Sequence, residues 1–111
     1  MTQYEDIILE RRGEIAQITL NRPHAANALT SRLMEEVIAA TDELRNDDSV
    51  HAVIVTGAGD RHFCGGADLR EAGDAVRGAP VPVPARLPFD EIERLPQPVI
   101  AAINGAAMGG G

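Results

Sequence analysis

An amphipathic helical stretch set between two short apolar runs constrains this chain more than any other feature. From Thr30 or Ser31, both competent N-caps, Leu33, Val37, Ala40 and Leu44 recur at helical spacing, and Met34, Ile38 and Thr41 widen the stripe. Glu35 and Glu36 sit in the first turns, where the helix dipole favours acids, and Asn46-Asp47-Asp48-Ser49 ends the run. Before it, Ile15 to Leu20 places Ala16, Ile18 and Leu20 on one face at period two. After it, Val50 to Thr56 is short, β-branched and closed by Gly57-Ala58-Gly59, which suits a strand buried on both faces. Strand, helix, strand implies a crossover with at least partly parallel pairing, and so an α/β fold. At 111 residues the chain is one domain's worth. Tyr4, Phe63 and Phe89 are its aromatics, so the core is built from Ile, Val, Leu, Ala and Met.

The flanks extend this pattern. Asp6 to Arg11, a turn at Arg12-Gly13 and the Ile15–Leu20 run read as a β-hairpin. Pro23 ends the second strand. Phe63-Cys-Gly-Gly-Ala-Asp-Leu-Arg-Glu71 carries a tight Gly-Gly loop, and Asp68-x-x-Glu71 resembles a capping box that opens a short helix. Residues 73–88 hold Gly73, Gly78, Pro80, Pro82, Pro84 and Pro88 with little periodicity, which predicts a loop excursion. A short helix over 89–95 and another buried strand over 99–103 follow. The chain finishes on Asn104-Gly-Ala-Ala-Met-Gly-Gly-Gly111, a strand feeding a glycine-rich turn that normally opens a helix, and the expectation is a chain cut within an element. No internal repeat shows at the level of residues.

Composition removes several functions. Ten basic residues against 17 acids leave a net charge of −7. All the basic residues are Arg, so no Lys is present for a Schiff base or a phosphate loop. An acidic domain without a basic cluster is a poor partner for nucleic acid or an anionic membrane. A single Cys and three scattered His argue against a disulfide framework or a metal site. The polar start and the absence of any long apolar run leave a cytoplasmic protein as the expectation.

The familiar motifs fail on inspection. Gly57-x-Gly59 lacks its third glycine, since position 62 is His62. Gly105 and Gly110 have phosphate-loop spacing, but position 111 is Gly rather than Lys. Cys64 suits a small packed residue better than a nucleophile, and Glu91 and Glu93 suit a solvated helix face. Arg22 is the better anion contact beside His24, although pairing with an acid is the commoner fate of an Arg. What remains is a pair of glycine loops, Gly65-Gly66-Ala67 and Gly109-Gly110-Gly111, each following a strand. Small residues permit close backbone approach, and two converging N–H groups would make an oxyanion hole.

Three segments then resemble one family. Leu20-Asn-Arg-Pro-His-Ala-Ala-Asn-Ala-Leu29 is similar to the LNRPxxxNAL segment of the crotonase family, the enoyl-CoA hydratase/isomerases. Phe63 to Glu71 resembles that family's FxAGADLxE loop, with Gly65 in place of the usual Ala, and Pro98 to Gly111 resembles PVIAAVNGxAxGGG. The resemblance implies a spiral of ββα units, of which residues 1–111 would be the incomplete N-terminal part. It implies an acyl-CoA thioester as substrate, with coenzyme A part of that substrate and no separate cofactor.

By the same resemblance, Ala67 and Gly110 would donate backbone N–H groups to the thioester carbonyl. Gly65, Ala67, Asp68 and Leu69 would line the coenzyme A site with the Arg22 to Ala28 segment, including Arg22, Ala26 and Ala28, and with Met108. Family members often carry a cation where Ala26 stands. Asp68 itself suits a helix cap better than an acid catalyst. The family's proton-transfer carboxylates lie beyond Gly111, so the expected parent reaction is hydration of a 2-enoyl-CoA, with this chain alone inactive. The alternatives are a binding fragment, or another reaction of the family such as isomerisation, thioester hydrolysis, decarboxylation or dehalogenation. The full-length parent would be a homotrimer or a dimer of trimers.

Overall fold

The computed structural model describes residues 3–76, 78 and 86–111. β1 (Ile7–Arg12) and β2 (Ile15–Leu20) form the expected antiparallel hairpin, in a register that pairs Ile7 with Leu20 and Arg12 with Ile15. Helix α1 (Ser31–Arg45) returns the chain to β3 (Ala52–Gly57), which pairs parallel to β2. β4 (His62–Cys64) and α2 (Leu69–Val76) follow, then α3 (Pro88–Glu93), β5 (Val99–Ala102) and the two-residue β6 (Ala106–Ala107). The main sheet has the order β1-β2-β3-β5, and β4 pairs parallel with β6 in a second layer.

This topology repeats although the residues do not. β2, β3 and β5 lie side by side in one layer. In the second, Leu29 bridges Ala67 in parallel, and β4 pairs with β6. Each turn of the chain therefore lays a strand in the first layer, crosses to the second and leaves through a helix or a glycine turn. The repeat lives in backbone pairing, which the amino-acid string does not display.

The predicted α1 stripe is the core face. Thr30 Oγ1 accepts from Leu33 N at 3.1 Å, and Leu33, Val37, Ala40, Thr41 and Leu44 are buried against Ile7, Ala16, Ile18, Val53 and Val55. The helix starts at Ser31 as expected, but its first turn carries no acid, because Glu35 and Glu36 stand beyond that turn. Glu36 instead accepts from the backbone N–H groups of Glu5 and Asp6, tying α1 to the start of the hairpin.

Two strands are less buried than the sequence predicts. β3 alternates, with Val53, Val55 and Gly57 buried and Ala52, Ile54 and Thr56 only partly so. Among the described residues β5 pairs with β3 alone and sits at the edge of the sheet they form, with Ile100 54% exposed. An apolar run reads as buried, but burial depends on what lies over it. The predicted excursion also shortens: residues 73–76 complete α2 and Pro88 opens α3. Residues 77 and 79–85 lie outside the described residues.

Candidate functional site: two glycine loops beside a cleft

The segment after β2 is shaped by one side chain. Asn27 is fully buried at φ 51°, next to Ala26 at φ 57°. Its Oδ1 accepts from Arg22 N at 2.8 Å, while its Nδ2 donates to Ala58 O and His62 O, each at 3.0 Å. Asn tolerates the left-handed region better than most residues because its short amide bonds locally. Here that amide braces the motif loop against the end of β3 and the start of β4. Asn104 does the same one turn later, donating to Gly57 O at 2.7 Å and Gly59 O at 2.9 Å and accepting from Gly57 N. Both asparagines sit inside the recognised segments, and both act as structural braces.

The braced loop receives the first glycine loop. Gly65 N–H donates to Ala26 O at 2.8 Å. Leu29 N–H donates to Gly66 O at 2.7 Å, and Asp68 N–H donates to Leu29 O at 3.0 Å. In a parallel bridge of this kind, Ala67's own N–H and carbonyl point away from Leu29. That direction is the flank on which the second loop lies. Gly66 adopts φ 88°, and a Cβ there would stand 2.7 Å from Met108 O and 3.7 Å from Gly109 Cα.

Register links the two loops further. Cys64 pairs with Ala107 across β4 and β6, and Ala67 and Gly110 each lie three residues past those paired positions. Among the described residues neither Ala67 N–H nor Gly110 N–H has a hydrogen-bond partner. Backbone donors left open in adjacent loops are available to a ligand.

A cleft of about 400 Å³ opens beside Ala67. It brings together seven of the nine site residues the sequence predicts: Arg22, Ala26, Ala28, Gly65, Ala67, Asp68 and Leu69, with His24, Ala25 and Arg70 completing the wall. Gly110 lines a second, apolar hollow of about 190 Å³ with Leu29, Phe63, Phe89 and Ile92. Met108 lines neither; its side chain is exposed and its contribution is the carbonyl packed on Gly66.

Charges near the cleft are largely committed. Arg22 Nη1 donates to Ala28 O at 2.9 Å and to Asp68 Oδ2 at 3.4 Å, so it props the loop and pairs with an acid. Asp68 Oδ1 caps α2, accepting from Arg70 N and Glu71 N. Burial pushes the Asp68 carboxyl up, but the Glu71 N–H, the Arg22 guanidinium and the Arg70 N–H outweigh it and hold it below the usual carboxylate range. The capping box is only half formed: the Glu71 carboxylate reaches Ser31, accepting from its N at 2.9 Å and its Oγ at 2.7 Å, and so ties α2 to the start of α1. Cys64 is buried, and that burial raises its thiol above the ordinary value against the Gly66 N–H. It is therefore a packed thiol rather than a thiolate.

Glu91, expected on a solvated face, is instead 3% exposed and surrounded by guanidinium groups. Arg94 and Arg86 lie within five positions of it, but the third partner, Arg45, lies 46 positions away on α1, and its approach is not legible in the local sequence. Among the described residues no group of three His, Cys, Asp or Glu stands close enough to hold a metal, and no helix is long and apolar enough to cross a membrane.

Comparison with known proteins agrees with this geometry. The chain is 41% identical to the short-chain-enoyl-CoA hydratase of Clostridium acetobutylicum over 111 residues, covering 98% of this chain and 42% of that protein. It is 38% identical to the crotonyl-CoA hydratase of Syntrophomonas wolfei over 110 residues, covering 97% and 42%. The crystal structure of an enoyl-CoA hydratase from Bacillus anthracis superposes with a TM-score of 0.82 at 37% identity, over 96% of this chain and 43% of that one. The chain thus spans under half the length of these relatives, and its strands and helices are the corresponding part of a crotonase fold. The family model for enoyl-CoA hydratase/isomerase matches residues 10–111, and the chain belongs to that family.

Proposed function

We propose that this chain holds an acyl-CoA thioester, with the N–H groups of Ala67 and Gly110 donating to the thioester carbonyl and coenzyme A lying along the Arg22–Leu69 cleft. The observation that carries the reading is the equivalence of the two donors. They sit at matched offsets from the Cys64–Ala107 pair, on glycine loops that touch through Gly66 and Met108. Paired N–H dipoles stabilise negative charge on the carbonyl oxygen, as in a thioester enolate, and one such donor is worth about 2.7–4 kcal/mol of barrier. The named activities of the relatives support 2-enoyl-CoA hydration as the reaction of the full-length protein. Coenzyme A enters as part of the substrate. Apolar exposure at Ile100, Ile103 and Met108 supports further protein covering this side.

A second reading applies to the 111 residues by themselves: binding without turnover. Hydration needs a carboxylate free to move a proton. Among the described residues Asp68 is the only acid lining the cleft or the apolar hollow, and it is engaged by Arg22 and the α2 backbone. Titration calorimetry with crotonyl-CoA, alongside loss of the enoyl absorbance, separates the possibilities. We expect saturable binding, competed by free coenzyme A, with no loss of absorbance. Absence of binding would overturn the proposal, and turnover would overturn the second reading alone.

A further inference from the structure

Glu71 stands on α2 but serves α1. In a complete capping box its side chain would return to the Asp68 N–H, yet that donor is taken by Leu29 O at 3.0 Å. The side chain crosses instead to the start of α1, where Oε2 accepts from Ser31 N at 2.9 Å and Oε1 accepts from Ser31 Oγ at 2.7 Å. Ser31 is buried, and its N–H is one of the helix-end donors that lack a partner within the helix. Thr30 Oγ1 meets another of them, the Leu33 N–H, at 3.1 Å. α1 is thus capped by one residue of its own and by one from α2. Glu71 also sets an acid at the positive end of the helix dipole, where the first turn of α1 carries none.

The direction of Ala67 depends on contacts made by its neighbours. Ala67 is exposed, between buried Gly66 and Asp68. Two glycines precede it, and a glycine backbone sets direction weakly. Leu29 and Ala67 form an isolated bridge rather than a ladder, so pairing with Leu29 holds the loop at one point without fixing its rotation about that point. The start of α2 adds little apolar hold, since Leu69 is 86% exposed. Arg22 reaches Asp68 Oδ2 from the cleft side at 3.4 Å. The Glu71–Ser31 contact supplies a second, shorter attachment, four residues past Ala67 on one segment and two past Leu29 on the other.

We propose that Glu71 is a positioning residue for the Ala67 N–H: its carboxylate clamps the first turn of α2 to the start of α1 and so fixes the direction of that donor toward the thioester carbonyl. Glu71 itself lies behind Arg22, in a polar hollow with Asp6, Thr30 and Arg32, and does not line the cleft. The inference rests on the proposed contact between the Ala67 N–H and the thioester carbonyl.

The test uses the 111-residue chain, calorimetric titration with coenzyme A and with crotonyl-CoA, and the carbon-13 resonance of the bound thioester carbonyl. Every variant is measured where urea unfolding shows it to be folded. We expect the unaltered chain to bind crotonyl-CoA more tightly than coenzyme A. Glu71→Ala should lower that preference by about tenfold, equivalent to ~1.4 kcal/mol, and return the carbonyl resonance toward its free position. Ser31→Ala removes the hydroxyl but keeps the N–H, and should lower the preference by about threefold. It also supplies the comparison should Glu71→Ala fail to fold. Glu71→Gln should recover most of the preference, because its amide oxygen still accepts from the Ser31 N–H and its NH₂ can donate to Ser31 Oγ. Glu36→Ala is the control. Glu36 likewise accepts two backbone N–H groups, from Glu5 at 3.0 Å and Asp6 at 2.7 Å, but ties α1 to the hairpin rather than to a glycine loop. Its loss should lower the urea midpoint and leave the preference and the resonance unchanged.

Unchanged preference and resonance in Glu71→Ala and Ser31→Ala, or an equal loss of preference in Glu36→Ala, would refute the clamp while leaving the functional proposal in place. An unaltered chain that binds the two ligands equally, with an unmoved carbonyl resonance, would remove the functional proposal and this inference with it.

Discussion

Asn27→Ala is expected to destabilise the fold by on the order of 3 kcal/mol or more, a large share of the ~5–15 kcal/mol that holds a typical domain together. Three backbone groups, Arg22 N–H, Ala58 C=O and His62 C=O, lose their partner at a site with no solvent access. Each buried group left unpaired costs about 1–3 kcal/mol. Alanine must also adopt a left-handed conformation there, next to Ala26, which already does. Asn27→Asp should fare badly too, since a carboxylate oxygen would then face the Ala58 and His62 carbonyls. Asn27→Gly relieves only the backbone conformation and should recover a minority of the loss. Urea unfolding of the three variants ranks them, and a loss under about 1 kcal/mol for alanine would show that the brace is dispensable.

Gly66→Ala is expected to separate the two loops and remove the thioester-dependent part of acyl-CoA affinity. The added Cβ would stand 2.7 Å from Met108 O, a backbone atom that no side-chain rotation can move aside. The residue must also hold φ 88°, and a non-glycine left-handed residue costs roughly 1–2 kcal/mol. Gly13→Ala is the control, because Gly13 has φ 59° but open space around its missing Cβ. Both variants should lose comparable stability from backbone conformation. Only Gly66→Ala should bring crotonyl-CoA affinity down to that of coenzyme A. In a complete enzyme, losing one carbonyl donor corresponds to about 10²–10³ in rate. Equal effects of the two substitutions on acyl-CoA binding would mean that the contact of the loops does not matter.

The parts legible in the sequence were those governed by neighbours along the chain. The hairpin, the α1 stripe, the Thr30 cap and the Asp68 cap follow from periodicity and local hydrogen bonding. The wall of the cleft was legible for a different reason, as its residues fall in two contiguous segments that match a family pattern. What escaped depends on partners distant in sequence. Glu71 was expected to face Asp68 three residues away and instead meets Ser31 across the fold. Glu91 looked solvated because nothing nearby announces Arg45. The β5 run looked buried because apolar character says nothing about sheet position, and an edge strand keeps one side open. The Asn27 brace stood inside a recognised segment, but its three partners come together only when β3 and β4 close behind the loop.

The most direct test of the central claim is the carbonyl itself. Crotonyl-CoA labelled with carbon-13 at the thioester carbon should show a downfield shift of that resonance when saturated with this chain, because the two proposed N–H donors would polarise the carbonyl. The same titration should move the backbone amide signals of Ala67 and Gly110 more than those of other glycine-loop residues. Saturable binding with an unmoved carbonyl resonance, and with Ala67 and Gly110 amides unchanged, would contradict the account and place the thioester elsewhere on the molecule.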